Sequence, residues 1–277
     1  MTMFFLYPSG RQKAMTFSFD DGFSDDLRLL EILNRYHMKC TWNLNSRFLQ
    51  NQDYVKTDEI GKHYQGHEIA CHGATHGLCT YLPREDIISE IREDRRTFEK
   101  LLGHPVTGLA YPNGYIANWL AEALKVLGIE YSKTIRSTKN FLLPEDFLFW
   151  DPTCHYKEAS LSQTPSGGHR TYYPTCHYKE ASQLADSFLH QPQWARFPLF
   201  YIWGHSYELR DNDHWDMFED FCRKMSADQN IWHATNEEIC RYIKGYLYLF
   251  KDKLRYGWQK KEPRSIYCYE QYWRRTC

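Results

Sequence analysis

Short apolar runs alternate with amphipathic segments along most of this 277-residue chain, and that alternation limits the fold more than any other feature. Ala14 to Phe19 is an apolar run of strand length, and Leu27, Leu29, Leu30, Ile32 and Leu33 then recur at helical spacing. Lys39 to Asn45 alternates as a strand. Tyr54 to Tyr64 reads as a helix closed by Gly66, and Glu68 to Cys71 as the next strand. Pro83 to Leu102 is the longest helix, with Ile87, Ile88, Ile91, Phe98, Leu101 and Leu102 on one face and Gly103 at its end. A strand over Val106 to Ala110 precedes a helix over Ile116 to Leu127. Short strands follow at Glu130 to Thr134 and Phe147 to Trp150, then a buried strand at Pro198 to Trp203. Asn230 to Ala234 is the last strand, before a helix from Asn236 to about Tyr246. Strands alternating with helices predict a parallel sheet with helices outside. About seven or eight such units predict an α/β barrel, closed or nearly so.

The polar motifs fall just after strands, where a parallel barrel carries its active site. The first is Asp20-Asp21-Gly22. Neighbouring side chains of a strand point to opposite faces. Both carboxylates therefore reach one site only if the backbone turns, which Gly22 permits. Their repulsion needs a metal cation or a shared proton to offset it. The competing reading is a helix N-cap for the segment that follows. His72 and His76 form the second motif, with Gly73 and Gly77 favouring a loop or single turn that converges them. With Asp21 they supply two nitrogens and one oxygen, the ligand number of a zinc site with a position open for water. Two exposed loop histidines are the alternative. His205 follows an apolar strand, beside Gly204. A lone histidine there is ordinarily structural. Hydrolysis of an amide or ester, however, needs a base for water and an acid for the leaving group. Asp20 and His205 could fill those roles, and a metal would polarise water and carbonyl.

These motifs together resemble the polysaccharide deacetylase family, also called the NodB-homology domain or carbohydrate esterase family four. Ser18-Phe19-Asp20-Asp21-Gly22 matches its first motif with Ser for Thr. His72 to His76 matches the second with Gly73 at the Ser/Thr position, led in by Gly66-His67-Glu68-Ile69. Ala110-Tyr111-Pro112-Asn113-Gly114 falls on the third, and Ile202-Trp203-Gly204-His205 on the fifth. The resemblance runs from about residue 12 to residue 245. It implies a distorted (β/α)7-type barrel with parallel strands and outer helices. It also implies metal-dependent removal of acetyl groups, N- or O-linked, from an acetylated oligo- or polysaccharide. By it Asp20 is the base, His205 the acid, and Asp21, His72 and His76 hold a divalent metal, zinc first, cobalt or another ion second. The backbone N–H of Asn113 would be the oxyanion donor, with Tyr111 and Pro112 beside it at the substrate. Two departures stand out. Ala110 replaces the arginine that orients and charges the base, so the Asp20 pKa should be less depressed; either another group compensates or this branch works differently. The fourth motif is not matched cleanly, and Asp151 in Phe149-Trp150-Asp151 is the candidate for holding His205.

Composition narrows the partners. A net charge of −1 excludes a dominant nucleic-acid surface, and 17% aromatic residues suit a carbohydrate-facing groove as well as a core. Nine cysteines without a Cys-x-x-Cys spacing predict free buried thiols rather than a zinc knuckle. No signal-peptide pattern and no apolar run of membrane-spanning length occur, so the expected location is the cytoplasm. Oligomeric state is not legible. The expected organisation is a domain over residues 1–245, with a duplicated loop insertion around 152–182, and a basic aromatic tail over 246–277. The segment Pro152 to Ser160 recurs identically as Pro174 to Ser182, which is a local duplication and not a solenoid. Leu161 to Tyr173 between the copies reads as a loop. A second metal site from Cys154, His155, His169, Cys176 and His177 is the sharper alternative. The tail could bind sugars or single strands, but a short helix and loose tail fit it better. Two other functions stay open: a non-catalytic barrel that binds acetylated sugar, and a hydrolase of small amides or ureides on the same fold.

Overall fold

The apolar run at the N-terminus becomes β1 (Lys13–Asp21), the strand about which the sheet is arranged. The structure is a computed structural model, and it describes residues 6–77, 82–159, 178–192 and 195–256. Every residue of β1 before Asp21 is buried, as expected of a strand covered on both faces. Around it lie β2 (Cys40–Leu44), β3 (Glu68–Cys71), β4 (Gly108–Ala110), β5 (Tyr131–Lys133), β6 (Cys154–His155), β7 (Leu199–His205) and β8 (Ile231–His233). The sheet order is β5-β4-β3-β2-β1-β7-β6, with all pairs parallel, and β8 pairs Lys13–Met15 of β1, away from the strand's C-terminal end. Backbone bonds from Trp150 N to Ser132 O and from Thr134 N to Trp150 O, both 3.0 Å, bring the chain before β6 against β5. The sheet thus curls into the distorted parallel barrel that the alternation predicts.

Helices cover the outside: α1 (Asp26–Arg35), the one-turn α2 (Ile60–His63), α3 (Arg84–Leu102), α4 (Asn118–Val126), α5 (Tyr156–Ala159), α6 (Tyr178–Leu189), α7 (Ser206–Asp211), α8 (Trp215–Ser226) and α9 (Asn236–Tyr256). Phe17 and Phe19 of β1 pack on Phe218 of α8 at ring separations of 5.5 and 5.9 Å, an aromatic layer that fixes α8 to the sheet.

Three expectations change. Tyr54 to Tyr64 is helical only at its end, as a 3-10 turn over Thr57–Glu59 and then α2. Thr57, Asp58 and Gly61 are poor helix formers, and too few residues remain for a longer helix. Phe147 to Trp150 is not a strand. Phe147–Phe149 is a 3-10 turn whose Leu148 N–H donates to Asp146 Oδ1 at 2.9 Å, a side-chain bond that displaces the ladder. Finally, α9 runs to Tyr256, beyond the end expected at about Tyr246. The expected loop at Leu161 to Tyr173 lies outside the described residues. No helix among the described residues is long and apolar enough to cross a membrane.

One buried group makes stability depend on pH. Asp26 lies within the first turn of α1, fully buried, with Tyr64 OH donating to its Oδ2 at 2.9 Å. Burial pushes its carboxyl up to about 8, against the opposing bond from Tyr64. Folding therefore takes up a proton between the unfolded and folded pKa values. This contribution is present at low pH and is lost as pH rises towards 8. In Asp26→Asn, urea-derived stability should fall less between pH 5 and 8, on the order of 1 kcal/mol or more. An unchanged slope would mean that Asp26 does not carry the proton.

Candidate active site

The register of the sheet sets three polar groups at one level. Asp20 of β1 pairs with Asn43 of β2 on one side and with His205 of β7 on the other. Asp21 follows at φ 81°, a backbone conformation that is costly for a side chain other than glycine. That turn sends adjacent carboxylates to the same site. The strand-alternation argument placed the freedom at Gly22, which does have φ 82°, but the bend begins one residue earlier.

Asp21 Oδ1 lies 3.5 Å from His72 Nε2 and 3.7 Å from His76 Nε2. These spacings are long for hydrogen bonds, and the oxygen is buried without a hydrogen-bond partner. His72 is oriented from behind: its Nδ1 is 2.9 Å from Ala110 O, so with the proton on Nδ1 the Nε2 lone pair faces Asp21. Its backbone N–H donates to Asp94 Oδ2 at 2.8 Å, and Asp94 Oδ1 accepts from Ser46 N at 2.8 Å. Burial lowers the His72 pKa despite Asp20 and Asp21, favouring the neutral imidazole that a metal needs. One orphaned oxygen and two imidazoles facing it fit a borderline cation such as zinc.

Asp20 is 2% exposed and has firm partners. Its Oδ1 accepts from Asn43 Nδ2 at 2.7 Å, and its Oδ2 accepts from Lys133 Nζ at 2.8 Å. Burial works to raise its pKa, but the Lys133 ammonium, with His72 and His205, brings it below the usual carboxylate value. Another group therefore compensates for the missing arginine. Ala110, where the arginine is absent, pairs in register with Lys133 of β5, so the cation comes from the next strand. The Lys133 ammonium also lies 4.3 Å over the Trp203 ring.

His205 Nε2 is 4.0 Å from Asp21 Oδ2, and its Nδ1 is 3.3 Å from Glu208 Oε2. Burial would lower the His205 pKa, but Glu208, Asp20 and Asp21 raise it overall, keeping a proton available. Asp151 does not hold His205. Its carboxylate accepts from Thr134 Oγ1 and from Arg136, which draw it to the rim of β5. Of the third motif, Tyr111 has its side chain buried in the wall, with the hydroxyl donating to Leu148 O at 2.7 Å. Pro112 packs beside Gly73, where an added Cβ would stand 3.3 Å from its Cγ. Asn113 is exposed on the turn, at φ 54°. Tyr111 and Pro112 therefore support the site from behind, and Asn113 is the member of the three that stands at the surface. Cys154 is buried in the core, and His169, Cys176 and His177 lie outside the described residues.

Asn43, Lys133 and Glu208 were not read from the sequence. Each is a polar residue at a strand's C-terminal end or one helical turn beyond it. That position is a usable signal in a barrel, but it does not say which carboxylate each one meets.

The family model of polysaccharide deacetylases matches residues 8–132. That match covers a little under half of the chain. That stretch carries Asp20, Asp21, His72 and His76, and β7 supplies His205 from beyond it. The fold is shared by a Mycobacterium smegmatis protein assigned as a polysaccharide deacetylase, at TM-score 0.63 and 15% identity over 88% of this chain and 94% of that one. It is also similar to the Xyl-CE4 domain of a multidomain xylanase from the hindgut metagenome of Trinervitermes trinervoides, at TM-score 0.54 and 18% identity over 84% and 92% of the two chains. A variant of the peptidoglycan deacetylase PdaC from Bacillus subtilis gives TM-score 0.53 and 16% identity over 89% and 98%. No curated protein sequence matches the chain. At these identities the structural neighbours speak for the deacetylase fold.

Proposed function

We propose that this polysaccharide deacetylase-like chain is a metal-dependent hydrolase that removes acetyl groups from a carbohydrate. The observation that carries the reading is a division between two adjacent carboxylates. Asp21 presents an unpartnered oxygen to two imidazoles, whereas Asp20 is held by a lysine and an amide. Asp21, His72 and His76 are the residues that would hold the divalent ion, zinc first, which supplies Lewis-acid activation of water and of the acetyl carbonyl. Asp20, kept ionised by Lys133, accepts the proton from water. His205 stands on the neighbouring strand at the same level and donates a proton to the departing amine or alkoxide. The Asn113 backbone N–H is the proposed oxyanion donor; a backbone donor does not require the aromatic side chain usual at that position. A barrel that only binds sugar would have no use for a separate base and acid.

Acetate release from N-acetylated chito-oligosaccharides, peptidoglycan fragments and acetylated xylan tests this. Activity should disappear with chelator and return with zinc or cobalt. His72→Ala should lower bound zinc at least about 10-fold together with activity. Turnover that survives complete metal removal would refute the reading.

A further inference from the structure

We propose that Glu208 is the positioning residue for His205, and that His155 and Lys157 hold Glu208, which makes the first copy of the repeated segment a working part of the site. The inference rests on the hydrolase reading only for His205's role as acid. Glu208 Oε2 lies 2.8 Å from His155 Nε2 and 3.3 Å from His205 Nδ1, and it accepts from the His205 backbone N–H at 3.2 Å. Glu208 Oε1 accepts from Lys157 Nζ at 2.9 Å. One carboxylate on α7 thus gathers donors from β6, α5 and the end of β7.

Two other readings of Glu208 compete. The first is a metal site, since His155, His205 and Glu208 could converge on an ion. The spacings argue otherwise. Around Asp21 the oxygen stands 3.5 and 3.7 Å from its imidazoles and has no other partner. Around Glu208 the separations are those of hydrogen bonds or close to them, and a lysine ammonium occupies the second oxygen. The second reading is a helix cap, because Glu208 lies three residues after His205 and accepts its backbone N–H. A capping box needs that bond and the return contact between the His205 side chain and the Glu208 backbone, and no more. It does not need a histidine and a lysine more than fifty residues away in the chain, nor a carboxylate side chain that is 17% exposed.

The consequence is geometric. A general acid must present its proton to the leaving group, and an imidazole free to rotate does so only part of the time. Glu208 on Nδ1 turns Nε2 towards Asp21 and the site. His155 in turn fixes Glu208, with its own ring set at 88° against Trp203, 4.9 Å between centroids. His155 and Lys157 both belong to the copy Pro152 to Ser160, and the second copy carries His177 and Lys179.

The experiment uses the zinc-loaded full chain, Glu208→Gln, and His155→Ala combined with His177→Ala so that the second copy cannot substitute. Two leaving groups are compared. An N-acetyl chito-oligosaccharide expels an amine that must be protonated, whereas 4-nitrophenyl acetate expels a phenolate that need not be. Both variants should lose about 10- to 100-fold in kcat on the acetamide and stay within about 3-fold on the aryl ester, with zinc content and Tm near wild type. Long-range nitrogen–proton NMR of His205 should show the Nδ1 proton's hydrogen bond in the wild type and its loss in both variants. Parallel loss on both substrates, an unchanged ratio, or a second zinc equivalent that disappears without His155 would overturn the proposal. A wild type that cleaves neither substrate would refute the hydrolase reading, and the His205 spectrum would still decide the positioning claim.

Discussion

Asp20→Asn is expected to leave bound zinc unchanged and to lower acetate release by about 10³-fold or more, the scale of a lost general base. The substitution keeps the shape of the side chain and a partner for Asn43, but it cannot take a proton from water. Asp20 contributes no atom to the Asp21, His72 and His76 cluster. Metal content and rate should therefore separate, zinc measured by elemental analysis and acetate by a coupled assay. Loss of zinc with activity would place Asp20 among the ligands. Full activity with zinc retained would remove it from the mechanism.

The second large effect belongs to Lys133, which is fully buried against a buried carboxylate. Removing one partner of a buried pair is far more damaging than the pair's net worth, because the other charge is left without water or a counter-charge. Lys133→Met should lower kcat/KM by roughly 10-fold or more on the acid side of the profile, where the Asp20 carboxyl that has lost its cation is protonated. The sign follows from the two opposing influences on Asp20. Burial raises its pKa, and the lysine more than offsets that. Without the lysine, burial prevails, and the acid limb of the rate profile moves to higher pH. Stability changes in the same sense. In the wild type the pair's contribution is present above the unfolded pKa and is lost as pH falls through the depressed folded value. In the variant a protonated Asp20 is the better buried form, so the deficit should be larger at pH 8 than at pH 5. Arginine at the register partner, Ala110→Arg in the Lys133→Met background, should restore part of the rate and return the acid limb. An acid limb that stays fixed in Lys133→Met would show that the lysine does not govern the base.

These two predictions also separate what is legible along the chain from what is not. Asp21, His72 and His76 were readable as candidate ligands because their types and spacing limit the chemistry, and the fold brings all three within reach of one ion. Lys133 was not readable as the partner of Asp20. Their contact is made across 113 positions, and the residue that sequence comparison would inspect, Ala110, is empty of charge. Asp151 shows the converse. It has the right type and stands near the expected motif, yet Arg136, three residues past the end of β5, draws it away. Glu208 was not readable, because its partners His155 and Lys157 lie more than fifty positions away.

The sequence by itself determined the parallel barrel, the strand ends that carry polar residues, and the chemistry those residues could support. Apolar periodicity and side-chain type are local properties, and a parallel barrel places strand ends at one face whatever the details of packing. Only the tertiary structure decided which charge meets which. The left-handed bend at Asp21, the register that sets Lys133 beside Ala110, and the meeting of Glu208 with His155 all depend on strand pairing and on which side chains are shut off from water. Those long-range contacts assign one adjacent carboxylate to the cation cluster and the other to a buried lysine.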